Sequence, residues 1–289
     1  MQIWHKTSEL REALKKERLA GKTVAVVPTM GNLHRGHIRL VEVAAQHADV
    51  VVTTIFVNPM QFGRNEDLAK YPRTPDADIK KLTAAGCNYL FAPPATEIYP
   101  NGLEEHTVVS VPGLSERHCG ASRPGHFDGV ATIVSKLFNI VQPNHGVFGR
   151  KDYQQFQVIR KMTTDLCFGI NIIGVATERD AHGLALSSRN GYLSNTEKQI
   201  ALTLHHTLQR AATQIIDGNR DYPALEQAAR TAFEGAGIRT DYFTICRADT
   251  LAPATMRDNN LVILTAAFVG GTRLIDNIEL VLPELTELT

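Results

Sequence analysis

The run from Thr23 to Val57, "TVAVVPTMGNLHRGHIRLVEVAAQHADVVVTTIFV", decides the fold. "TVAVVPT" (Thr23 to Thr29) is a continuous apolar stretch of strand length, and "DVVVTTIFV" (Asp49 to Val57) is another, rich in β-branched residues. Between them "GHIRLVEVAAQHA" sets Ile38, Val41 and Ala45 at helical spacing. Strands that are apolar throughout, rather than alternating, belong to a sheet covered on both faces, so the run predicts a β-α-β unit in a parallel sheet.

The same alternation continues outward. "NYLFAP" near Asn88 reads as a strand, "FDGVATIVSKLFNIVQ" as a helix, "HGVFG" as a short strand, "YQQFQVIRKMTTDLCF" as a helix and "INIIGVAT" as a strand ending near Thr177. Repeated β-α units predict an α/β fold, a Rossmann-like doubly wound open sheet over residues 1–177, with ligands at the carboxyl ends of the strands. Beyond Thr177 the pattern changes. "ERDAHGLALSSRNGYLS" has little apolar periodicity and reads as a connector. Ser194 to Glu197 forms a capping box that opens a long helix through about Ile216, and a second helix starts near Tyr222. "DYFTICRA", "LVILTAAFV" and "TRLIDNIEL" then read as strands joined by "RDNN" and "VGG", so residues 178–289 are expected to form a smaller α+β lid domain hinged to the first.

Composition narrows the function. The 289 residues are enough for a sizeable core in one large or two moderate domains. Lys+Arg and Asp+Glu both number 30, so the formal net charge is +0, which argues against a nucleic-acid partner while leaving room for a local basic pocket. Cys87, Cys119, Cys167 and Cys246 are far apart and form no CxxC pair, which suggests neither a zinc knot nor a disulfide framework and fits a reducing, cytoplasmic setting. The charged N-terminal "MQIWHKTSELREALKK" has no apolar signal core, and no apolar run reaches membrane-spanning length.

Four polar stretches, three at strand ends and one at the expected domain hinge, would together make a cleft. "PTMGNLHRGHIRL" (Pro28 to Leu40) leaves the first strand and enters the first helix, where orphan backbone N–H groups and the helix dipole favour an anion. Gly31 and Gly36 would let a ligand approach the backbone, and His34 and His37 can donate hydrogen bonds to a phosphate. Two solvent-facing histidines at a helix start are the alternative, while a zinc site lacks a further Cys or His cluster nearby. In "GRKDYQQF" (Gly149 to Phe156), Lys151 could neutralise a phosphate, Asp152 could hold a ribose or cap the helix, and the backbone of Gly149 and Arg150 lies at the sheet's carboxyl edge. "LALSSRN" (Leu184 to Asn190) offers two hydroxyls and a permanent cation, suited to a loop closing over a triphosphate. "NPMQF" (Asn58 to Phe62) offers amides that could orient a small polar substrate. Of these last three taken singly, the first two read equally as a solvated helix start and a polar interdomain linker respectively, and the third reads by default as a Pro-bearing turn with satisfied polar groups.

Taken together, "PTMGNLHRGH", "NPMQF", "YPRT" (Tyr71 to Thr74), "RPGHFDGV" (Arg123 to Val130), "GRKDYQQ" and "GLALSSRNGYL" make the chain resemble the pantothenate synthetase (pantoate–β-alanine ligase) family. The likeness is dense through about Leu193 and looser beyond; HxGH alone would indicate only the wider nucleotidyltransferase superfamily.

The resemblance implies a condensation of (R)-pantoate with β-alanine driven by ATP. Pantoate's carboxylate would attack the α-phosphorus, and the β-alanine amine would then take the acyl group from pantoyl adenylate, releasing AMP. It implies His37, His34 and Lys151 as catalytic residues, with His37 as proton donor to departing pyrophosphate. It implies ATP contacts along Met30, Gly31, Asn32, Leu33, His34, Arg35, Gly36 and His37, along Gly149, Arg150, Lys151 and Asp152, and along Leu186, Ser187, Ser188 and Arg189. Asn58, Gln61 and Gln155 would bind pantoate, with Gln61 also near β-alanine. Mg2+ would accompany the triphosphate, held mainly by phosphates and water; Asp76 and Asp78 are the acidic candidates nearby, and no metal ligand is assigned. A homodimer is implied as well. Glu178 departs from the family, where an apolar residue is commoner. Two rivals remain at this point, a different nucleotidyltransferase and a non-enzymatic nucleotide-binding module.

Overall fold

The computed structural model describes every residue except 64, 65, 67 and 284–289. The chain divides into two compact units, Met1–Glu116 with Arg123–Arg150 and Gln154–Glu178, and Arg117–Ser122 with Lys151–Tyr153 and Arg179–Thr289.

The first unit alternates strand and helix as the apolar pattern demands. Its elements are β1 (Gln2–Trp4), α1 (Thr7–Leu19), β2 (Val24–Thr29), α2 (Arg35–His47), β3 (Val50–Ile55), α3 (Pro75–Ala84), β4 (Tyr89–Phe91) and α4 (Ala95–Ile98). After α5 (Cys119–Ser122), a single turn that belongs to the second unit, come α6 (His126–Val141), β5 (His145–Gly149), α7 (Tyr153–Asp165) and β6 (Asn171–Val175). The six strands form one parallel sheet in the order β1-β4-β3-β2-β5-β6. Chain direction across the sheet reverses at β2 and β5, so the crevice beyond Thr29 and Gly149 is the topological switch point where such sheets bind ligands.

Both faces of β2 are buried, which is why its sequence does not alternate. Ala25 and Val27 pack with Leu40, Val41, Val43 and Ala44 of α2. Val24 and Val26, pointing the other way, are also fully buried, and α6 packs on β2. The apolar stripe of α2 differs by a residue from its sequence reading. Val41 is buried and Ile38 packs against that core, but Leu40, Val43 and Ala44 complete the stripe and Ala45 is exposed, because the face turned to the sheet is wider than one line of residues. Helix α6 is apolar nearly all round, with Val130, Ile133, Val134, Leu137, Phe138 and Val141 all buried.

The second unit has α8 (Asn195–Ile216), α9 (Tyr222–Gly235) and the antiparallel strands β7 (Arg239–Arg247), β8 (Asn260–Val269) and β9 (Thr272–Val281), in the order β7-β8-β9. Ser194 caps α8 reciprocally: Glu197 N–H donates to its Oγ at 3.2 Å and its own N–H donates to Glu197 Oε2 at 2.8 Å. Leu204, Leu208 and Ile215 of α8 meet Phe233, Phe243, Ile245, Leu261 and Ile263 in one core. Among the described residues no helix is long and apolar enough to cross a membrane.

Candidate active site

Beyond Thr29 the chain turns through Gly31 and Asn32, both at positive φ, before His34 caps α2. The two histidines are folded against each other, ring centroids 4.0 Å apart. His34 Nδ1 accepts the Gly36 N–H at 3.1 Å, and His37 Nδ1 accepts the His34 N–H at 3.2 Å. An N–H aimed at Nδ1 leaves a neutral imidazole with its proton on Nε2, so each ring is fixed as an Nε2–H donor. Gly36 makes this possible, since a Cβ there would lie 2.9 Å from His34 Cε1.

The backbone N–H groups do not take the part expected of them. Those of Asn32 and Leu33 donate to Asp78 Oδ2 and Oδ1, both at 2.8 Å, and that of His37 donates to His34 O at 2.9 Å. With the His34 and Gly36 donors also committed, the hydrogen bonds this loop can offer an anion come chiefly from side chains rather than from an open cradle of amides. The two glycines likewise answer first to the protein's own packing: a Cβ on Gly31 would stand 3.1 Å from Ile55 Cγ2 and 3.3 Å from Asp78 Oδ2. Asp78 is only 1% exposed and also accepts from Thr74 Oγ1 at 3.1 Å, while Lys81 Nζ donates to Leu33 O at 2.6 Å. Asp78 is therefore the anchor of the histidine loop, a role its sequence context did not disclose, and its oxygens are occupied by backbone donors rather than poised for a cation.

The neighbouring strand, β3, leads into a 3-10 turn at Pro59–Gln61. Asn58, 1% exposed, uses its whole amide: Oδ1 accepts from Tyr99 Oη at 2.7 Å and from Met60 N–H at 3.3 Å, and Nδ2 donates to Gln61 Oε1 and Gly129 O, both at 3.1 Å. Helix α6 presses against this turn at Gly129, where a Cβ would fall 2.5 Å from Met60 O. Arg123 holds Glu66 through two contacts, at 2.7 and 2.5 Å, and His126 Nδ1 lies 2.8 Å from Gln61 O. Of the two glutamines that open α7, Gln154 is buried and donates to Leu114 O at 2.8 Å, whereas Gln155 is half-buried and no hydrogen bond engages its side chain among the described residues. Glu178 stands beside the first turn of α2, with Oε1 4.0 Å from Arg39 Nε.

The second unit holds the other stretches. Lys151, its side chain 17% exposed, lies 3.9 Å from Asp152 Oδ2, and its carbonyl accepts from Asn277 Nδ2 at 2.8 Å. Gly149 and Arg150 precede it in the first unit. Ser187 caps the 3-10 turn Ser188–Tyr192 by accepting the Arg189 N–H at 3.2 Å. The stretch read as a connector is built: Arg179 pairs with buried Asp276 at 2.7 and 2.8 Å, and residues 179 and 185 form a β-bridge. His205 lies 3.8 Å from that carboxylate, yet burial and the Arg179 charge push its pKa below the usual value. Among the described residues, no group of three or more His, Cys, Asp or Glu side chains could hold a metal ion.

With this geometry in hand, the likeness to known proteins is direct. A family model described as Pantoate-beta-alanine ligase matches residues 2–279. Pantothenate synthetase of Marinobacter nauticus is 56% identical over 280 residues, covering 97% of this chain and 99% of that protein. The Pseudomonas fluorescens protein of the same name is 58% identical over 272 residues, 94% of this chain and 95% of its own. A crystal structure of pantothenate synthetase from Thermus thermophilus superposes with a TM-score of 0.91 at 41% identity, covering 98% of this chain and 100% of that one. That of pantoate-beta-alanine ligase from Francisella tularensis, complexed with beta-gamma ATP and beta-alanine, gives 0.80 at 32% identity over 96% of this chain and 97% of its own. Family model, sequence identity and fold agree along nearly the whole length, and the chain belongs to the pantoate–β-alanine ligase family.

Proposed function

We propose that the protein condenses (R)-pantoate with β-alanine at the expense of ATP, giving pantothenate, AMP and pyrophosphate by way of pantoyl adenylate. The observation that carries the reading is the histidine pair at the switch point of the sheet, each ring locked as an Nε2–H donor by a backbone N–H on its Nδ1. In the first half-reaction a pantoate carboxylate oxygen bonds to the α-phosphorus and the bond to pyrophosphate breaks. Charge grows on the phosphate oxygens, so catalysis is positioning and electrostatic stabilisation. His34 and His37 donate hydrogen bonds to those oxygens. A neutral ring whose Nδ1 already accepts an N–H has no proton to give up, so His37 acts as a hydrogen-bond donor and the departing pyrophosphate takes its proton from solvent. Lys151, Ser187, Ser188 and Arg189 are assigned to the triphosphate, and Met30, Gly149, Asp152 and Leu186 to the nucleoside side. Gln61 and Gln155 are assigned to pantoate. In the second half-reaction the β-alanine nitrogen bonds to the acyl carbon, AMP leaves, and the nitrogen loses a proton to solvent.

The described residues offer no cage for Mg2+, so the ion is assigned to the substrate, as a complex with the triphosphate held by phosphate oxygens and water. A cytoplasmic homodimer is part of the same proposal, and sedimentation velocity tests its assembly. The decisive experiment is ATP–pyrophosphate exchange with Mg2+, with and without pantoate, β-alanine absent. Exchange that requires pantoate supports the adenylate route. Exchange without pantoate, or none even though AMP appears once β-alanine is added, rules out an adenylate formed from pantoate and ATP alone.

A further inference from the structure

The amide network behind Gln61 has a fixed direction. Met60 N–H can only donate, so the Asn58 atom facing it is Oδ1; Gly129 O can only accept, so the atom facing that is Nδ2. Backbone groups thus decide which Asn58 amide atom faces which side, and the tighter Tyr99 contact, at 2.7 Å against 3.3 Å for Met60 N–H, holds Oδ1 in place. Its second Oδ1 lone pair takes the Tyr99 hydroxyl and its second Nδ2 hydrogen goes to Gln61. Gln61 must meet that hydrogen with Oε1, which turns its Nε2 the other way, where one hydrogen rests on Met30 Sδ at 3.2 Å. A thioether is a weak acceptor, and the second Nε2 hydrogen meets no acceptor among the described residues.

Tyr99 is the far end of the chain of bonds. It is 4% exposed, set edge-on to His106 with ring centroids 4.9 Å apart, and Lys136 Nζ stands 4.8 Å over its ring. Burial pushes its hydroxyl up to about 12, so it is a neutral donor wherever the enzyme works.

We propose that Tyr99 is a positioning residue that acts through Asn58 to present Gln61 to pantoate as a hydrogen-bond donor only. Asn58, with both lone pairs and both hydrogens committed, touches no substrate; it transmits. This narrows the expectation that Asn58 binds pantoate directly, and it rests on the reading of Gln61 as a pantoate residue. The ligand chemistry follows: Nε2–H selects an acceptor, a carboxylate or ether-like lone pair, and disfavours a cationic group in the same place.

The test is a double-mutant cycle of Tyr99→Phe and Gln61→Ala, read in pantoate-dependent pyrophosphate exchange. Tyr99→Phe should raise the pantoate KM about 3- to 10-fold, as one buried hydrogen-bond partner is lost, and leave the ATP KM within about 2-fold. In the Gln61→Ala background the same change should have almost no effect on pantoate. A Tyr99→Phe factor that survives in that background, a neutral Tyr99→Phe, or equal rises in both KM values overturns the proposal. Asn58→Asp, which places an acceptor against Gln61 Oε1, should reproduce the pantoate defect; an unchanged pantoate KM there also overturns it. Wild-type enzyme with no pantoate-dependent exchange would sink the functional reading instead. The side-chain amide resonances of Asn58 and Gln61 then carry the test without turnover: they should shift together in Tyr99→Phe, and independence of the two defeats the proposal.

Discussion

The loops that leave β2 and β3 come off adjacent parallel strands, and they are held by opposite means. The histidine loop hangs from one helix, α3: Asp78 accepts the N–H groups of Asn32 and Leu33, and Lys81 donates to Leu33 O, so the bend rests on charge-assisted bonds. The amide turn is held by many contacts that are mostly neutral, from Tyr99, Gly129, His126 and its own backbone, with the Arg123 guanidinium at 3.5 Å from Gln61 O as the longest. A loop with one anchor is sharply dependent on that anchor. A loop with several loses its geometry by degrees. The amide turn also borrows shape from α6, where the missing side chain of Gly129 lets two backbones meet.

The largest effect expected concerns the product of the histidine loop rather than its support. His37→Ala removes an Nε2–H donor and should lower the rate of pyrophosphate exchange about 10²- to 10⁴-fold, with the pantoate KM little changed. An unchanged rate takes His37 out of the mechanism. Next comes the anchor. Asp78→Ala leaves two N–H groups, one of them on fully buried Leu33, without acceptors, at about 1–3 kcal/mol each, and should cost about 2–5 kcal/mol in chemical denaturation along with most of the exchange activity. Asp78→Asn, which keeps the shape but turns an NH2 toward one donor, should fall between wild type and alanine. If both variants melt and turn over like wild type, the single-anchor description fails.

Gly129→Ala probes the other loop. The new methyl would meet backbone rather than a movable side chain, so the turn must shift, at about 1–3 kcal/mol. The comparison predicts a graded outcome: a raised pantoate KM with exchange still measurable, in contrast to the collapse expected of Asp78→Ala. Loss of all activity with wild-type stability would erase the distinction.

The legibility of this chain follows the same divide. The β2-α2-β3 unit is plain in the sequence because strands buried on two faces carry an unbroken apolar run. Strand β1 is three residues at the sheet's edge, and α3 shows only Ile79 and Leu82 as large apolar residues, so neither has a periodic signal to read. Among the candidate site residues, His34, His37, Asn58 and Gln61 stand out because polar residues of fixed type follow apolar strands. Their supports do not. Asp78 lies 45 residues from Leu33 and Tyr99 lies 41 from Asn58, and no local pattern joins them. The expectation that backbone amides would cradle an anion failed for the same reason, since the acceptor that takes those amides comes from a distant helix.

The smallest effect should come from Glu178, at a position where the family resemblance leads one to expect an apolar residue. Its Cβ lies 3.7 Å from where a side chain on Gly36 would begin, and its carboxylate reaches toward Arg39, a third exposed. An exposed pair at 4.0 Å contributes little, and at the start of α2 a carboxylate and the helix dipole favour each other. A substituted side chain would lose only that weak attraction, while the backbone at 178 stays where the end of β6 puts it. Glu178→Val should therefore change the ATP KM by less than about 2-fold in exchange assays. A larger rise would place the carboxylate among the groups that hold the nucleotide. A clear fall would mean that its charge repels the triphosphate and that Glu178 weakens the ATP site of this chain.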